Sequence, residues 1–173
     1  LLTPPQNIRI LIQMANIYKA LGESDNLAKI IREAASLVSL DPNILYELQP
    51  WIERFNDPIV LRAFIERLLE LKELPVEVLI DIYQFVAFCY AGPLHMRFEA
   101  DKYAIAAANL APNSLKTQLL AANVFDPKEA MLHATKAAAI APFNVEPYLA
   151  MHNIALNANR HDMQARVEQQ LVV

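Results

Sequence analysis

Glycine is scarce in this sequence, whose 173 residues include only Gly22 and Gly92. Phosphate-cradling loops and turn-rich β folds both depend on glycine, because it adopts positive φ angles without strain. The composition therefore argues against both kinds of protein. Cysteine is scarcer still, and the single Cys89 excludes an intrachain disulfide and a cysteine-based zinc site.

Long hydrophobic runs and excess positive charge are also missing. No apolar run reaches the roughly 18 residues of a transmembrane helix, so we predict no membrane span. The net charge is −4, whereas proteins that bind nucleic-acid backbones are usually basic, so no nucleic-acid partner is predicted. The free cysteine and the lack of a visible signal peptide make the cytoplasm the default location. The chain lacks an initiator methionine, and we expect it to be a piece of a longer protein.

Proline is the residue that recurs. Prolines 5, 42, 75, 112 and 142 are separated by 37, 33, 37 and 30 residues. Each of the last four follows an apolar stretch of helical periodicity, and proline stops a helix. The spacing divides the chain into five repeats, which are 6–42, 43–75, 76–112, 113–142 and 143–173.

Two helices are predicted in each repeat. Gly22, Gly92-Pro93, Asp57-Pro58 and Asp126-Pro127 mark the breaks within four of the repeats. The predicted helices are 7–21, 25–40, 43–55, 58–72, 76–90, 94–110, 114–125, 127–139, 144–158 and 161–172. In the first helix the apolar stripe is Ile10, Met14, Ile17 and Leu21. Because proline disrupts a helix interior, the third helix is expected to start or kink at Pro50.

The repeats also share a register of side chains. The segments Ala15-Asn16-Ile17-Tyr18 and Ala122-Asn123-Val124-Phe125 are near copies. An aromatic residue stands thirteen places after four of the five prolines, at Tyr18, Phe55, Phe88 and Phe125. With the period near 34, the helical hairpin and the closing proline, this pattern resembles the tetratricopeptide repeat.

The resemblance implies an all-α fold, a right-handed α-solenoid of about five helical hairpins forming a single repeat domain over 1–173. It also implies that the four recurring aromatic side chains are buried between helices. In such solenoids the first helix of each repeat lines a concave face, so positions four, seven, eleven and fourteen after each proline should face a groove. The groove residues predicted in this way to contact a partner are Arg9, Asn16, Lys19, Leu79, Ile82, Val86, Asn123 and Asn153.

The asparagines are the sharpest candidates in that set. Asn16, Asn123 and Asn153 each stand eleven places after a repeat proline. An amide side chain carries one acceptor and two donated hydrogens, which suits pairing with the backbone of an extended peptide. The alternative is that these amides form internal hydrogen bonds between stacked repeats.

An acidic stretch is the second candidate contact. Residues 41–81 contain nine acids and four bases, and the acids singled out are Glu66, Glu70, Glu73 and Glu77. They would attract a basic peptide or domain. The alternative is a solvated helix face interleaved with Arg67 and Lys72.

No catalytic, metal or cofactor site is predicted. The histidines His95, His133, His152 and His161 form no i, i+4 pair, and Cys89 on an apolar helix reads as a small packing residue. We therefore predict a protein–protein interaction module, not an enzyme, that binds a peptide or partner segment in a concave groove. The alternative is an accessory or oligomerisation domain of a larger enzyme, such as a transferase, in which a further copy of the chain serves as partner.

Overall fold

A computed structural model describes the backbone of residues 4–55 and 57–171, and the side chains of residues 7–55 and 57–158. Within those ranges the chain is all-helical, as predicted, and contains no strand. The helices are α1 (Pro4–Leu21), α2 (Ser24–Ser36), α3 (Ile44–Phe55), α4 (Pro58–Glu70), α5 (Val76–Ala91), α6 (Arg97–Leu110), α7 (Leu115–Ala121), α8 (Pro127–Ile140) and α9 (Glu146–Leu171), with a 3-10 turn at Leu37–Ser39.

The chain divides into two compact units, the first ending at His95 and the second beginning at Met96. In the first unit α1 packs on α2, α2 packs on α4, and α4 contacts both α3 and α5. In the second unit α6 packs on α7, α7 on α8, and α8 on α9. Helices adjacent in sequence therefore pack as pairs in both units.

Three of the predicted helices differ from those observed. The seventh, predicted over 114–125, ends at Ala121. The predicted pair 144–158 and 161–172 is one continuous helix, α9, so the fifth repeat is not a hairpin. No glycine or proline stands between the two predicted helices, so no local stop signal divides them.

Gly22 reverses the chain between α1 and α2. Its φ is +72°, and its N–H donates to the Lys19 carbonyl at 3.2 Å while the Glu23 N–H donates to the Tyr18 carbonyl at 3.0 Å. These two bonds form a Schellman motif, which satisfies carbonyls at the end of α1 that the helix leaves free. The turn is short enough for α2 to fold back onto α1.

The predicted apolar stripe of α1 does not face the core. Ile10, Ile17 and Leu21 are exposed and Met14 is half-buried, whereas the buried side chains of α1 include Ile8, Leu11 and Ala15. At 100° per residue the two sets lie on faces about 120° apart. Because α1 carries two apolar faces, periodicity alone does not identify the one that packs on α2.

Pro50 lies inside α3. The helix was expected to start or kink at this proline, and it does not start there. The helix starts at Ile44 and continues through Pro50 to Phe55. Proline lacks an N–H, so the Tyr46 carbonyl receives no bond from position 50. The proline itself is exposed, and Leu48 and Ile52 on either side of it are buried.

Only one of the four recurring aromatic side chains is fully in the core. Phe55 is 6% exposed, as predicted, and Tyr18 is half-buried. Phe88 and Phe125 are exposed, so the prediction is wrong for both. Phe88 lies outside the buried face of α5, and Phe125 lies in the turn that follows the early end of α7.

Alanine fills the core of the second unit. The buried alanines of its helices include Ala104, Ala107, Ala108, Ala121, Ala134 and Ala137. Side chains this small leave helix backbones close together and add little apolar area. The close packing places Thr117, Gln118 and His133 in the interior as well.

Gln118 ties three helices together through these buried polar groups. Its Nε2 donates to the Ala108 carbonyl at 3.2 Å and to the Pro112 carbonyl at 3.1 Å. The amide oxygen must then accept, so His133 Nδ1, 2.7 Å from Oε1, carries a proton and donates it. His133 Nε2 faces Glu129 at 4.0 Å. Burial lowers the pKa of His133, the charge of Lys136 lowers it further, and Glu129 acts in the opposite direction.

We expect Phe55→Ala and Phe125→Ala to lower the free energy of unfolding by very different amounts. Phe55→Ala removes a buried ring and should lower the free energy of unfolding by about 3–5 kcal/mol. Phe125→Ala removes a ring that is 74% exposed and should cost less than about 1 kcal/mol. Urea denaturation of both variants measures the difference. Equal losses would contradict the assignment of Phe125 to an exposed turn.

We also expect the stability to fall in mild acid because of His133. Since its folded pKa is lowered, its contribution is complete above the ordinary histidine pKa of about 6.5 and is lost as the pH falls toward the folded pKa. Urea unfolding at about pH 7.5 and about pH 5.5 measures this loss. His133→Asn should reduce it, whereas the control His152→Asn, at an exposed position, should leave it unchanged. A loss of the same size in His133→Asn would show that other groups cause it.

Candidate functional site

A groove opens on the second unit, with a volume of about 640 Å³. Its walls come from α6, the turn after α7, the start of α8 and the middle of α9. Small and apolar side chains provide most of the lining, and three amides and one guanidinium provide its polar groups. The lining residues are Arg97, Ala122, Asn123, Val124, Phe125, Pro127, Ala130, Ala150, Asn153, Ile154, Asn157 and Ala158.

The turn between α7 and α8, residues 122–126, forms one wall because α7 is so short. Ser114 caps the start of α7 by accepting from the Thr117 N–H at 3.4 Å, and the helix ends two turns later. The Asn123 N–H then donates to the Leu120 carbonyl at 3.2 Å and the Val124 N–H to the Ala121 carbonyl at 3.3 Å. These i→i+3 bonds tighten the backbone, so the chain leaves the helix and runs along the groove.

Two of the predicted asparagines line this groove, but not in equivalent ways. Asn123 lies in the turn, where its Nδ2 donates to the Leu119 carbonyl at 2.9 Å. Asn153 lies on α9. The equivalence predicted from the repeat register is therefore wrong, because the register assumed a helix at both positions. The third predicted asparagine, Asn16, is exposed on α1 in the first unit.

The groove holds a further amide that the sequence reasoning missed. Asn157 follows Asn153 by four residues on α9, so both amides lie on one face of the helix. Both are exposed, and no hydrogen bond joins either amide to another residue whose side chain is described. The i, i+4 spacing was visible in the sequence. The pair was not predicted, because the predicted helix 144–158 ends one residue after Asn157.

An ion pair lies at one end of the groove, where α6 meets the turn between α7 and α8. The Arg97 Nε lies 3.2 Å from the Asp101 Oδ1, one turn apart on α6. The Asp101 Oδ2 accepts from the Phe125 N–H at 2.8 Å. One carboxylate thus fixes both the guanidinium and the backbone of the turn, a contact that no local motif in the sequence indicates.

The groove predicted from the sequence contained two cations, Arg9 and Lys19, and Lys19 has a structural partner. Its Nζ donates to the Phe55 carbonyl at 3.0 Å and lies 4.3 Å from the centre of the Phe55 ring. The ammonium therefore binds the carbonyl end of α3, where the helix dipole favours a cation. Arg9 is exposed on α1.

The apolar middle of the predicted groove belongs to the core. Ile82 and Val86 are fully buried and Leu79 is half-buried, which corrects the prediction that Ile82 and Val86 offer surface to a partner. The stretch from Val76 to Ala91 is almost uniformly apolar, so its sequence does not distinguish a groove face from a core face. In the structure its Phe85 packs edge-on against Phe64 of α4 at 5.8 Å.

The acidic candidates divide into paired and unpaired positions. Glu66 forms an ion pair with Arg32, and Glu70 pairs with Arg67 at 3.0 Å. Glu73 is exposed in the loop after α4 and has a φ of 60°. Glu77 is exposed in the first turn of α5. Two of the four carboxylates are thus engaged by arginines of the same unit, which favours a solvated, interleaved face.

Cys89 and His152 are the remaining chemically distinctive residues. Cys89 is fully buried, and burial together with the charge of Glu53 raises the pKa of its thiol to about 12. His152 is exposed on α9. Among the described residues no three histidine, cysteine or acidic side chains gather where they could hold a metal ion. No helix in the described ranges has the length and apolar character needed to span a bilayer.

Comparison with known proteins identifies no relative. No protein-family model matches the chain, and a search of curated proteins finds no significant match.

Proposed function

We propose that the chain is a tetratricopeptide-like α-solenoid that acts as a protein-interaction module, and that its second unit binds an extended peptide segment in the groove. The packing of sequence-adjacent helices in both units supports a helical-repeat architecture, as does the contact of α2 with α4, the second helices of consecutive repeats. The observation that carries the functional proposal is the gathering of Asn123, Asn153 and Asn157 on one groove.

The spacing of the α9 amides suits an extended chain. Four residues of α-helix rise about 6.0 Å, and two residues of extended backbone span about 6.8 Å. Asn153 and Asn157 can therefore each bond the N–H and C=O of alternate peptide residues. Since only backbone atoms are used, these bonds are independent of the peptide sequence.

The lining between the amides would accommodate the peptide side chains. Ala122, Ala130 and Ala150 leave room for a backbone to approach closely, while Phe125 and Ile154 supply apolar surface. Such a groove gives affinity through buried apolar area and register through the amides. None of its described lining residues is a nucleophile or a general base, and the role we propose for it is binding.

One observation favours the second candidate, self-association as an accessory domain. The exposed stripe of α1, formed by Ile10, Met14, Ile17 and Leu21, places apolar side chains three and four residues apart. That is the spacing of a seam between two helices. The stripe lies outside the groove, so peptide binding and self-association concern different residues.

We expect the α9 amides to be required for peptide binding. Random nonapeptides displayed on phage are selected on the full chain, and the dissociation constants of the recovered synthetic peptides are measured by calorimetry. The double variant Asn153→Ala/Asn157→Ala should weaken binding by about 30-fold or more, because it removes four hydrogen bonds worth about 0.5–1.5 kcal/mol each.

The matched control is Asn109→Ala, which removes an exposed amide of α6 outside the groove. It should leave the dissociation constants unchanged. Circular dichroism should report the same helicity for all three proteins. Peptides that bind the double variant as tightly as the unaltered chain would contradict the proposed site.

A further inference from the structure

The groove is close to electrically neutral although a cation lines it. Arg97 is the one charged residue among its lining side chains, and Asp101 holds the guanidinium at 3.2 Å. The Asp101 side chain is 18% exposed and that of Arg97 is 51% exposed. The carboxylate is therefore less screened by water than the cation.

Asp101 is also fixed in place. Its second oxygen accepts from the Phe125 N–H at 2.8 Å, a charge-assisted bond to the backbone of the turn. Moving the carboxylate away from Arg97 would strain or break this bond. Turning Arg97 toward an anion in the groove would therefore break its ion pair with Asp101, because the carboxylate cannot follow.

The second positive feature of the groove is neutralised in the same way. Pro127 and Ala130, in the first turn of α8, line the groove, and the N-terminus of a helix attracts anions. Here Asp126 occupies that position, since its Oδ1 accepts from the Lys128 N–H at 2.7 Å and the Glu129 N–H at 3.2 Å. An aspartate thus stands beside each of the two positive features of the groove, on Arg97 Nε and on the first N–H groups of α8.

We infer, building on the proposed function, that the groove selects an extended peptide segment without acidic groups and that Asp101 is the residue that sets this preference. A peptide carboxylate over the Arg97 end would be repelled by Asp101, whose charge already offsets that of the guanidinium. Repulsion of this kind gives specificity by excluding the wrong ligand. An uncharged peptide segment experiences no such repulsion from the Arg97–Asp101 pair.

Asp101→Asn tests the inference most directly. The amide oxygen of the variant can still accept the Phe125 N–H, but the charge that neutralises Arg97 is gone. Each selected peptide is synthesised in two forms, with Asn or with Asp at its central position. The unaltered chain should bind the Asn form about 5-fold or more tightly, equivalent to about 1 kcal/mol. Asp101→Asn should abolish or reverse that ratio, and the reversed ratio should decline as salt is added.

A second arm does not depend on peptide binding. Sodium acetate replaces sodium chloride at constant ionic strength while the backbone amide resonances of Asn123 and Phe125 are followed by NMR. The unaltered chain should give no saturable shift, and Asp101→Asn should give one. The control Glu99→Gln removes a different acid of α6 and should behave as the unaltered chain does. If Asp101→Asn does not fold, Arg97→Gln serves instead, because it leaves Asp101 uncompensated and should increase the preference for the Asn form and leave acetate unbound.

The outcomes separate this inference from the function on which it rests. If no selected peptide depends on Asn153 and Asn157, the proposed function fails, and the acetate titration still decides whether Asp101 blocks the cation. If peptides bind the groove but the unaltered chain prefers the Asp form or shows saturable acetate binding, the inference is overturned and the proposed function stands. An Asp101→Asn variant that folds and binds no acetate also overturns it.

Discussion

The buried amide of Gln118 is the interaction on which the second unit depends. Alanine-rich helices pack closely but bury little apolar area for each residue, so their relative placement is weakly determined by hydrophobic contact alone. Gln118 adds hydrogen bonds, which, unlike hydrophobic contacts, require particular positions and orientations of their partners. It bonds one carbonyl at the end of α6, one in the following turn and the imidazole of His133 on α8. Because every one of these groups is satisfied only in this arrangement, the three helices have one favourable register.

Local signals in the sequence predicted most helix ends and failed where no local signal exists. Gly22, Asp57-Pro58 and Asp126-Pro127 each act through their own backbone chemistry, and the breaks lie where they predict. The end of α7 at Ala121 has no such residue. It follows from the bonds of the turn and from the hold of Asp101 on Phe125, two positions 24 residues apart in the chain. Contacts at that distance in sequence leave no periodic or compositional trace.

The same distinction explains how much of the site could be predicted. Asn123 and Asn153 were found because a repeat register brings particular positions to one surface, even though the register misplaced Asn123 on a helix. Ile82 and Val86 were misassigned because α5 is apolar on nearly every side, and only packing reveals which side is covered. The charge balance of the groove was out of reach, since it depends on the rotamer of Arg97 and the reach of one carboxylate to a turn.

The two apolar faces of α1 leave the rotation of that helix about its own axis underdetermined. Turning α1 by about a third of a revolution would bury Ile10, Met14, Ile17 and Leu21 in place of Ile8, Leu11 and Ala15, with no loss of apolar area. The apolar pattern of α1 alone therefore does not distinguish the two rotations. What separates them is polar: the bond from Lys19 to the Phe55 carbonyl exists at one rotation only. The ammonium group of Lys19 thus distinguishes the observed rotation of α1 from the alternative one.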